Sequence, residues 1–166
     1  MRDSTDILRF KSCDLRLTGC RSALDAYAET VKNASQTVCA CRVLDAVKPS
    51  YENCCKPLHD GREDGSLLPQ TAEQLMRSRY SAFVLGLSQY LLATWHESTR
   101  PKELDVDSRM RWTGLEIIST RAGGAAASRG VVEFAAYYRD GRHEAQQREV
   151  STFVKQDGAW FYLDAL

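Results

Sequence analysis

The chain has 166 residues, 43% hydrophobic and 27% charged, with 22 basic and 22 acidic side chains and a formal net charge of zero. This length accommodates one domain with a substantial core and a small appendage. Because a neutral chain has no global field that attracts nucleic acid, we do not expect sequence-specific nucleic-acid binding. No apolar run approaches the ~20 residues of a membrane span or forms a signal-peptide core, so we expect a cytoplasmic protein without a membrane partner.

The first segment, residues 1–38, is predicted to be an extension with one short helix. Apolar residues recur at i, i+3, i+4 and i+7 over residues 22–32, which is typical of one helix face. We favour packing of this helix on the main domain over a role in binding a partner. Cys13 and Cys20 do not have the spacing of a metal half-site, so we interpret them as spare thiols.

Four cysteines follow in two close pairs, Cys39-Ala-Cys41 and Cys54-Cys55. Four thiolates are a complete tetrahedral ligand set for a structural Zn²⁺. Residues 48–53 are polar and turn-prone, so the segment between the pairs can fold back. Two disulfides or free thiols are the alternatives, but disulfides need an oxidising compartment and a bond between adjacent cysteines is strained. We therefore favour zinc.

The second segment comprises residues 39–70. Its later part, residues 59–69, contains two glycines, Pro69 and several charges, which argue against regular structure there. His59 is predicted to be solvated in this linker. Because it follows Cys55 by four residues, a back-up role in metal binding is an alternative.

The third segment, residues 71–166, is predicted to be an α+β domain with helices covering one face of a curved antiparallel sheet. Thr71 and Gln74 form a capping box for a first helix that ends at Gly86, and Ser88 caps a second helix. Period-two patterns then predict four strands separated by Gly-containing hairpin signals. The strands are predicted over residues 112–120, 130–139, 147–155 and 159–164.

Alternation along these strands combines aromatic and acidic residues on the same faces, which suits a half-polar pocket, with an amphipathic exterior as an equal alternative. Arg79 is expected to pair with Glu133 or Glu149, either to fix the helix on the sheet or to hold an anion. His96, at a helix end, is either a general base or a cap for terminal carbonyls. The pocket candidates are Arg79, Tyr80, Trp95, Trp112, Tyr137, Ser151 and Phe153, with His96, Glu133, Glu149 and Asp164 as acid–base candidates.

The cysteine pattern resembles the SEC-C zinc motif. The string Leu75-Met-Arg-Ser-Arg-Tyr80, together with Trp95-His96 and Gly158-x-Trp-x-Tyr162, looks like the YchJ family of SEC-C proteins. The resemblance covers residues 39–165 and implies a cone-shaped domain like that of nuclear transport factor 2, with zinc at the four cysteines. It implies no reaction, because proteins with this cone are enzymes in some cases and binding modules in others. The loop between the cysteine pairs is longer than in the usual motif and lacks its glycines.

Two functions are compatible with these features. The first is a non-catalytic binding or adaptor module, in which the zinc knuckle contacts a protein or ribonucleoprotein partner and the cone provides a scaffold or ligand pocket. The second is a small-molecule enzyme with acid–base chemistry in the cone. The sequence favours the module, because a four-thiolate site has no open coordination position and no phosphate loop or nucleophile elbow is present.

Overall fold

A computed structural model describes residues 37–104, 106 and 111–166, so the predicted helix over residues 22–32 and both Cys13 and Cys20 lie outside the described residues. No helix in the described part of the chain is long and apolar enough to cross a membrane. Two 3-10 turns, Ala40–Arg42 and Tyr51–Asn53, precede three α-helices and four strands. These are α1 Lys56–Asp64, α2 Ala72–Leu85, α3 Ser88–Ala93, β1 Arg111–Ala122, β2 Arg129–Asp140, β3 His143–Gln156 and β4 Ala159–Ala165.

The predicted ends of α2 are confirmed. The Thr71 side chain accepts a hydrogen bond from the backbone N–H of Gln74 at 3.0 Å. The Gln74 side chain in turn accepts from the backbone N–H of Gln70 at 2.7 Å, one residue earlier than in a standard capping box. Gly86 ends the helix with a φ of 69°, a left-handed conformation that glycine adopts without strain. The next helix, α3, begins at Ser88, and Leu87 rather than Ser88 is its N-cap.

The four strands form an antiparallel meander in the order β1-β2-β3-β4, which confirms the predicted strands and hairpins. The start of α2 lies directly against the first hairpin, where the Ala72 N–H donates to the Gly123 carbonyl at 2.9 Å. A Cβ at Gly130 would lie 2.6 Å from the Gly123 Cα and 2.7 Å from the Ala72 Cβ. Only a residue without a side chain fits there, so this glycine sets how closely the helix approaches the sheet.

The core lies between α2 and one face of the sheet, and β2 presents to it a different set of residues from the one predicted. Val132, Phe134 and Ala136 are buried against α2, while Glu133 and Tyr137 point to the other face. Alternation alone leaves two choices of face for a strand, and burial of the apolar set decides between them. The expectation that Glu133 and Tyr137 line the pocket is therefore corrected.

The expectation of an irregular linker after the cysteines is also wrong, because residues 56–64 form α1. Pro57 lies in its first turn, where its missing N–H costs nothing, and Gly65 ends it with a φ of 73°. Gly61, which was counted as a helix breaker, packs against the returning chain: a Cβ there would lie 2.7 Å from the backbone nitrogen of Leu67. The tertiary contact thus explains a glycine within a helix.

Candidate metal centre and adjoining cavity

The four sulfurs of Cys39, Cys41, Cys54 and Cys55 lie within 4.8 Å of one another. The Sγ–Sγ distances from Cys41 to the other three are 3.5 to 3.7 Å, and Cys54 and Cys55 are 3.8 Å apart. A tetrahedral Zn–S bond of about 2.3 Å corresponds to an S–S separation of about 3.8 Å, whereas a disulfide requires about 2.05 Å. The donor set therefore fits a tetrahedrally coordinated metal ion, and these four cysteines are not disulfide-bonded.

Local backbone contacts bring the two cysteine pairs together despite the long loop between them. The Cys39 N–H donates to the Pro49 carbonyl at 2.8 Å, next to an isolated bridge between Val38 and Ser50. Cys55 is the N-cap residue of α1. The loop thus folds back through backbone pairing, which replaces the glycine turn that the usual motif provides.

The cluster belongs to the core of the domain rather than to a separate lobe. Cys39 and Cys41 are 0% exposed and Cys55 is 1% exposed. The Cys39 sulfur lies 3.4 Å from the Ser81 hydroxyl, and the Cys55 thiol donates to the Arg77 carbonyl at 3.8 Å. Both of these contacts are with α2, so a metal ion bound here would be fixed against that helix.

The cysteines influence one another's ionisation strongly. Contact with the Cys41 thiol, followed by the other two thiols, lowers the pKa of Cys39. Hydrogen bonding to Cys39 is the largest of several contacts that raise the pKa of Cys55. For Cys54, the contact with Cys39 raises the pKa, whereas the contacts with Cys41 and Cys55 lower it. The lowering contacts outweigh the other, and the pKa of Cys54 is lowered to about 7. Four adjacent thiolates repel one another, so complete ionisation requires a cation among them.

Arg77 connects the cluster to α2. Its Nη1 donates to the Cys41 carbonyl at 2.9 Å and lies 3.2 Å from the Asp45 carboxylate. Its Nε donates to the Glu73 carboxylate at 2.7 Å, one turn earlier on the helix. Because the guanidinium is buried and bonded through both Nη1 and Nε, it orients the backbone of a cysteine in the cluster.

His59, which was expected to be solvated, is 8% exposed. One ring nitrogen, Nδ1, lies 2.7 Å from the Tyr51 hydroxyl, and the other, Nε2, lies 2.9 Å from the Ser78 carbonyl. Burial is the main reason that the pKa of this imidazole is lowered. With both nitrogens engaged, His59 holds α1 against α2 and is not a back-up metal ligand.

A cavity of about 280 Å³ lies on another side of α2, between the helix and the sheet. Its walls are mostly aromatic: the Tyr80 and Trp112 rings meet edge to face at 6.0 Å, and the Phe83 ring lies 6.4 Å from that of Trp112. The lining residues are Met76, Arg79, Tyr80, Phe83, Trp95, Trp112, Phe134, Ala136, Gln147, Glu149, Ser151 and Tyr162.

Arg79 is the charged residue of α2 in this cavity and is 3% exposed. Its Nη1 donates to the Leu91 carbonyl at 2.7 Å and to the Thr94 hydroxyl at 2.8 Å. The guanidinium carbon lies 5.1 Å from the ring centroid of Trp95 and 4.8 Å from that of Tyr162. Burial lowers the pKa of Arg79 to about 10. The expected ion pairs with Glu133 or Glu149 are not among the salt bridges of the described residues.

Of the four acid–base candidates, Glu149 lines the cavity. Its carboxylate accepts hydrogen bonds from Ser151 at 2.5 Å and from Gln147 at 3.3 Å. Burial, and next the charge of Glu149, raise the pKa of Tyr162 to about 12. Tyr162 is therefore a hydrogen-bond donor at neutral pH.

The other candidates do not meet Glu149 in the cavity. Glu133, on the outer face, is paired with Arg148 and accepts from Ser119 at 2.9 Å, and these contacts lower its pKa. His96 follows α3, with its Nδ1 2.7 Å from the Ser98 hydroxyl. Asp164 lies near the end of β4 and accepts from its neighbour's N–H. Tyr137 donates to Glu116 on the outer face, and Phe153 is buried in the core.

The prediction missed two residues that line the cavity, Tyr162 and Phe83, and it missed Thr94, whose hydroxyl accepts a hydrogen bond from Arg79. The backbone of Tyr162 pairs with Thr94 at the end of α3, a contact that no local sequence pattern indicates. Phe83 follows Met76 and Tyr80 at helical spacing, a pattern that indicates a core position as readily as a cavity wall. Thr94 carries no sequence signal of its own, because its role as an Arg79 partner depends on the close packing of α3 against α2.

Sequence comparison identifies the family. The model of the family described as YchJ, middle NTF2-like domain, matches residues 71–165. The chain belongs to the YchJ family. A UPF0225 protein of Streptomyces coelicolor is 51% identical over 115 residues, covering 69% of this chain and 86% of the relative. A UPF0225 protein of Chromobacterium violaceum is 47% identical over 106 residues, covering 62% and 78%.

Two solved structures of SEC-C motif proteins have a similar fold. The crystal structure of the protein from Psychrobacter arcticus matches with a TM-score of 0.68 and 31% identity, covering 80% of this YchJ-family chain and 83% of that protein. The solution structure of the protein from Rhodopseudomonas palustris matches with a TM-score of 0.63 and 27% identity, covering 78% and 98%. These matches support the predicted nuclear-transport-factor-2-like fold with a SEC-C cysteine cluster.

Proposed function

We propose that this YchJ-family protein is a non-catalytic binding module in which a structural Zn²⁺ fixes the helix that forms one wall of a ligand cavity. The observation that carries the proposal is the closed tetrahedron of four sulfurs against α2. With all four coordination positions filled by the protein, such a metal ion has no site for substrate or water.

The arrangement of the acidic residues favours binding over catalysis. General acid–base chemistry needs two groups within reach of the same bound molecule. Here Glu149 is in the cavity, whereas Glu133 is on the opposite face of the sheet and is paired with Arg148. The specific observation in favour of an enzyme is that Glu149 and Tyr162 line the same cavity as Arg79, so we keep acid–base catalysis there as the second candidate.

The cysteine loop also offers a surface for a macromolecular partner. Val43, Leu44 and Val47 are 37%, 53% and 77% exposed, a concentration of apolar side chains in one short loop. We infer that a protein or ribonucleoprotein partner contacts the module here. The four reduced thiols suit a reducing compartment, so the proposal places the protein in the cytoplasm.

The first experiment determines the metal. Protein purified without a metal-affinity tag is analysed for zinc while its thiols are titrated, before and after a chelator is added. We expect one zinc per chain and four thiols that react only after chelation. Stoichiometric zinc retained by both Cys41→Ser and Cys55→Ser would contradict the four-thiolate assignment, and Cys13→Ser is the matched control.

The second experiment separates a module from an enzyme. A panel of small organic acids, amines and neutral aromatics is screened by thermal unfolding, and each compound that stabilises the protein is recovered after incubation and identified by mass. We expect ligands to return unchanged. A changed compound would support the enzyme, provided that the change is lost in Glu149→Gln but kept in Glu144→Gln, an exposed control.

A further inference from the structure

Arg79 is held in the cavity by neutral groups. A buried cation without a carboxylate partner is costly, and proteins normally pair such a charge or expose it. Here a 3% exposed guanidinium is retained by one carbonyl, one hydroxyl and the faces of two rings. These contacts reduce the desolvation cost, but no carboxylate among the described residues forms a salt bridge with Arg79, and the charge of Glu149 acts on it without such a contact.

The contacts also orient the guanidinium. Both hydrogen bonds to Leu91 and Thr94 come from Nη1, and no hydrogen bond joins Nε or Nη2 to another described residue. Because Nη1 is fixed to the end of α3 and the plane is held by Trp95 and Tyr162, the remaining donors keep a constant position. Arginine binds carboxylates through two parallel N–H groups, so this edge matches a carboxylate.

The opposite polar feature of the cavity is an acceptor. Glu149 is held on β3 by Ser151 and Gln147, and it lines the same cavity. A ligand that offers only negative charge would be repelled by Glu149, whereas one that also carries a hydroxyl or amino donor can satisfy it. Half of the residues that line the cavity are aromatic, which suits a flat ring.

We propose that the cavity binds a small aromatic carboxylic acid that carries a hydroxyl or amino group, with its carboxylate on Arg79 and its donor on Glu149. This inference rests on the proposed binding function and specifies its ligand. The volume of about 280 Å³ is just below the 300–1,000 Å³ typical of sites for drug-sized molecules, so the ligand is a single-ring or fused-ring acid.

The test compares three probes of nearly the same shape: 4-hydroxyphenylacetate, phenylacetate and the neutral 4-hydroxyphenylacetamide. Affinity is measured by NMR from the indole N–H signals of the three tryptophans. Trp95 and Trp112 line the cavity, whereas Trp160 is fully buried and is not among the lining residues. We expect the first probe to shift Trp95 and Trp112 but not Trp160, and to bind about tenfold or more tightly than its amide.

Substitutions of Arg79 and Glu149 test which residue is responsible for each preference. Arg79→Met should remove the preference for acid over amide, and Glu149→Gln should remove the preference for 4-hydroxyphenylacetate over phenylacetate. Arg148→Met, which removes an arginine from the outer face of the sheet, is the matched control and should change neither. Zinc content and thermal unfolding verify that each variant is folded. If Arg79→Met does not fold, the test uses the ratio of the affinities for acid and amide, compared between the wild type and Arg79→Lys.

The outcomes distinguish this inference from the proposed function. Equal affinity for acid and amide, or a preference that survives in Arg79→Met, would overturn the ligand class. If none of the three probes binds but another panel compound shifts Trp95 and Trp112 and returns unchanged, the ligand class is wrong and the binding function stands. If no compound shifts these signals, both are wrong.

Discussion

The cysteine cluster and the cavity lie against the same helix, α2, but they are assembled in different ways. The cluster takes its four ligands from residues 39–55 and is closed by backbone pairing within that segment. The cavity takes its walls from α2, the end of α3 and all four strands. A local site can be recognised from spacing, whereas a site assembled over 87 positions, from Met76 to Tyr162, depends on how the elements pack.

Sharing α2 makes the two regions interdependent. Cys39 and Cys55 contact Ser81 and Arg77, while Tyr80, between them in sequence, lines the cavity. We therefore expect a change at the cysteine cluster to affect the helix that forms a cavity wall. If the two regions were independent units, loss of metal would loosen the cysteine segment and leave the cone unchanged. The shared core predicts that both regions respond.

The largest expected effect follows from Cys55→Ser. The ligand is 1% exposed and contacts α2, and metal ligation in zinc-finger peptides contributes about 10–16 kcal/mol of folding free energy. We expect loss of zinc and a decrease of several kcal/mol in the free energy of unfolding, measured by urea denaturation. The NMR signals of Trp95 and Trp112 should shift as well. If they stay unchanged while zinc is lost, the two regions are independent.

A smaller effect is expected for Arg77→Ala, which removes the connection between the cluster and α2 but keeps all four thiols. The variant leaves the Cys41 carbonyl and the Asp45 carboxylate without this buried donor, which costs about 2–3 kcal/mol of stability. Outer partners of metal ligands typically contribute 10- to 100-fold in affinity, so zinc affinity should fall by about tenfold in competition with a chelator. Arg142→Ala, in an exposed turn, should change neither quantity.

The smallest effect concerns Tyr90, on α3. Its hydroxyl lies 2.8 Å from that of Ser78, and burial is the main reason that its pKa is raised to about 12. Tyr90→Phe should lower the free energy of unfolding by about 1 kcal/mol at pH 8. The pKa of Tyr90 is higher in the folded state than its ordinary value of about 10 in the unfolded state. The stabilisation from this neutral phenol is therefore complete below about pH 10, and it is lost as the pH rises through about 12.

The stability difference between the wild type and Tyr90→Phe should therefore shrink between about pH 10 and pH 12, because only the wild type must keep this buried phenol neutral. Urea denaturation at a series of pH values measures this difference. Tyr138→Phe is the control, since the Tyr138 hydroxyl has no hydrogen bond to another residue in the described ranges. A constant difference across this range would show that Tyr90 titrates normally.

Much of the fold could be predicted because its signals are local. The Thr71 and Gly86 caps bound α2, and period-two runs between glycine turns gave the four strands. The linker prediction was wrong because Gly61 indicates irregular structure when read alone, whereas in the structure it allows Leu67 to pack against α1. The division into residues 1–38, 39–70 and 71–166 stays a prediction.

The amino-acid pattern alone was enough to predict the cluster of four cysteines and the order of α2, α3 and the four strands, but not α1. Four cysteines within 17 residues and a repeating apolar pattern are properties of neighbouring positions. Packing in three dimensions was needed to show which face of β2 is inward, that Glu133 lies outside and Glu149 inside, and that Arg79 bonds to Thr94. Alternation allows either face of a strand, and only packing against α2 distinguishes them. For the same reason the structure, rather than the spacing, shows that the cysteine cluster and the cavity share one helix.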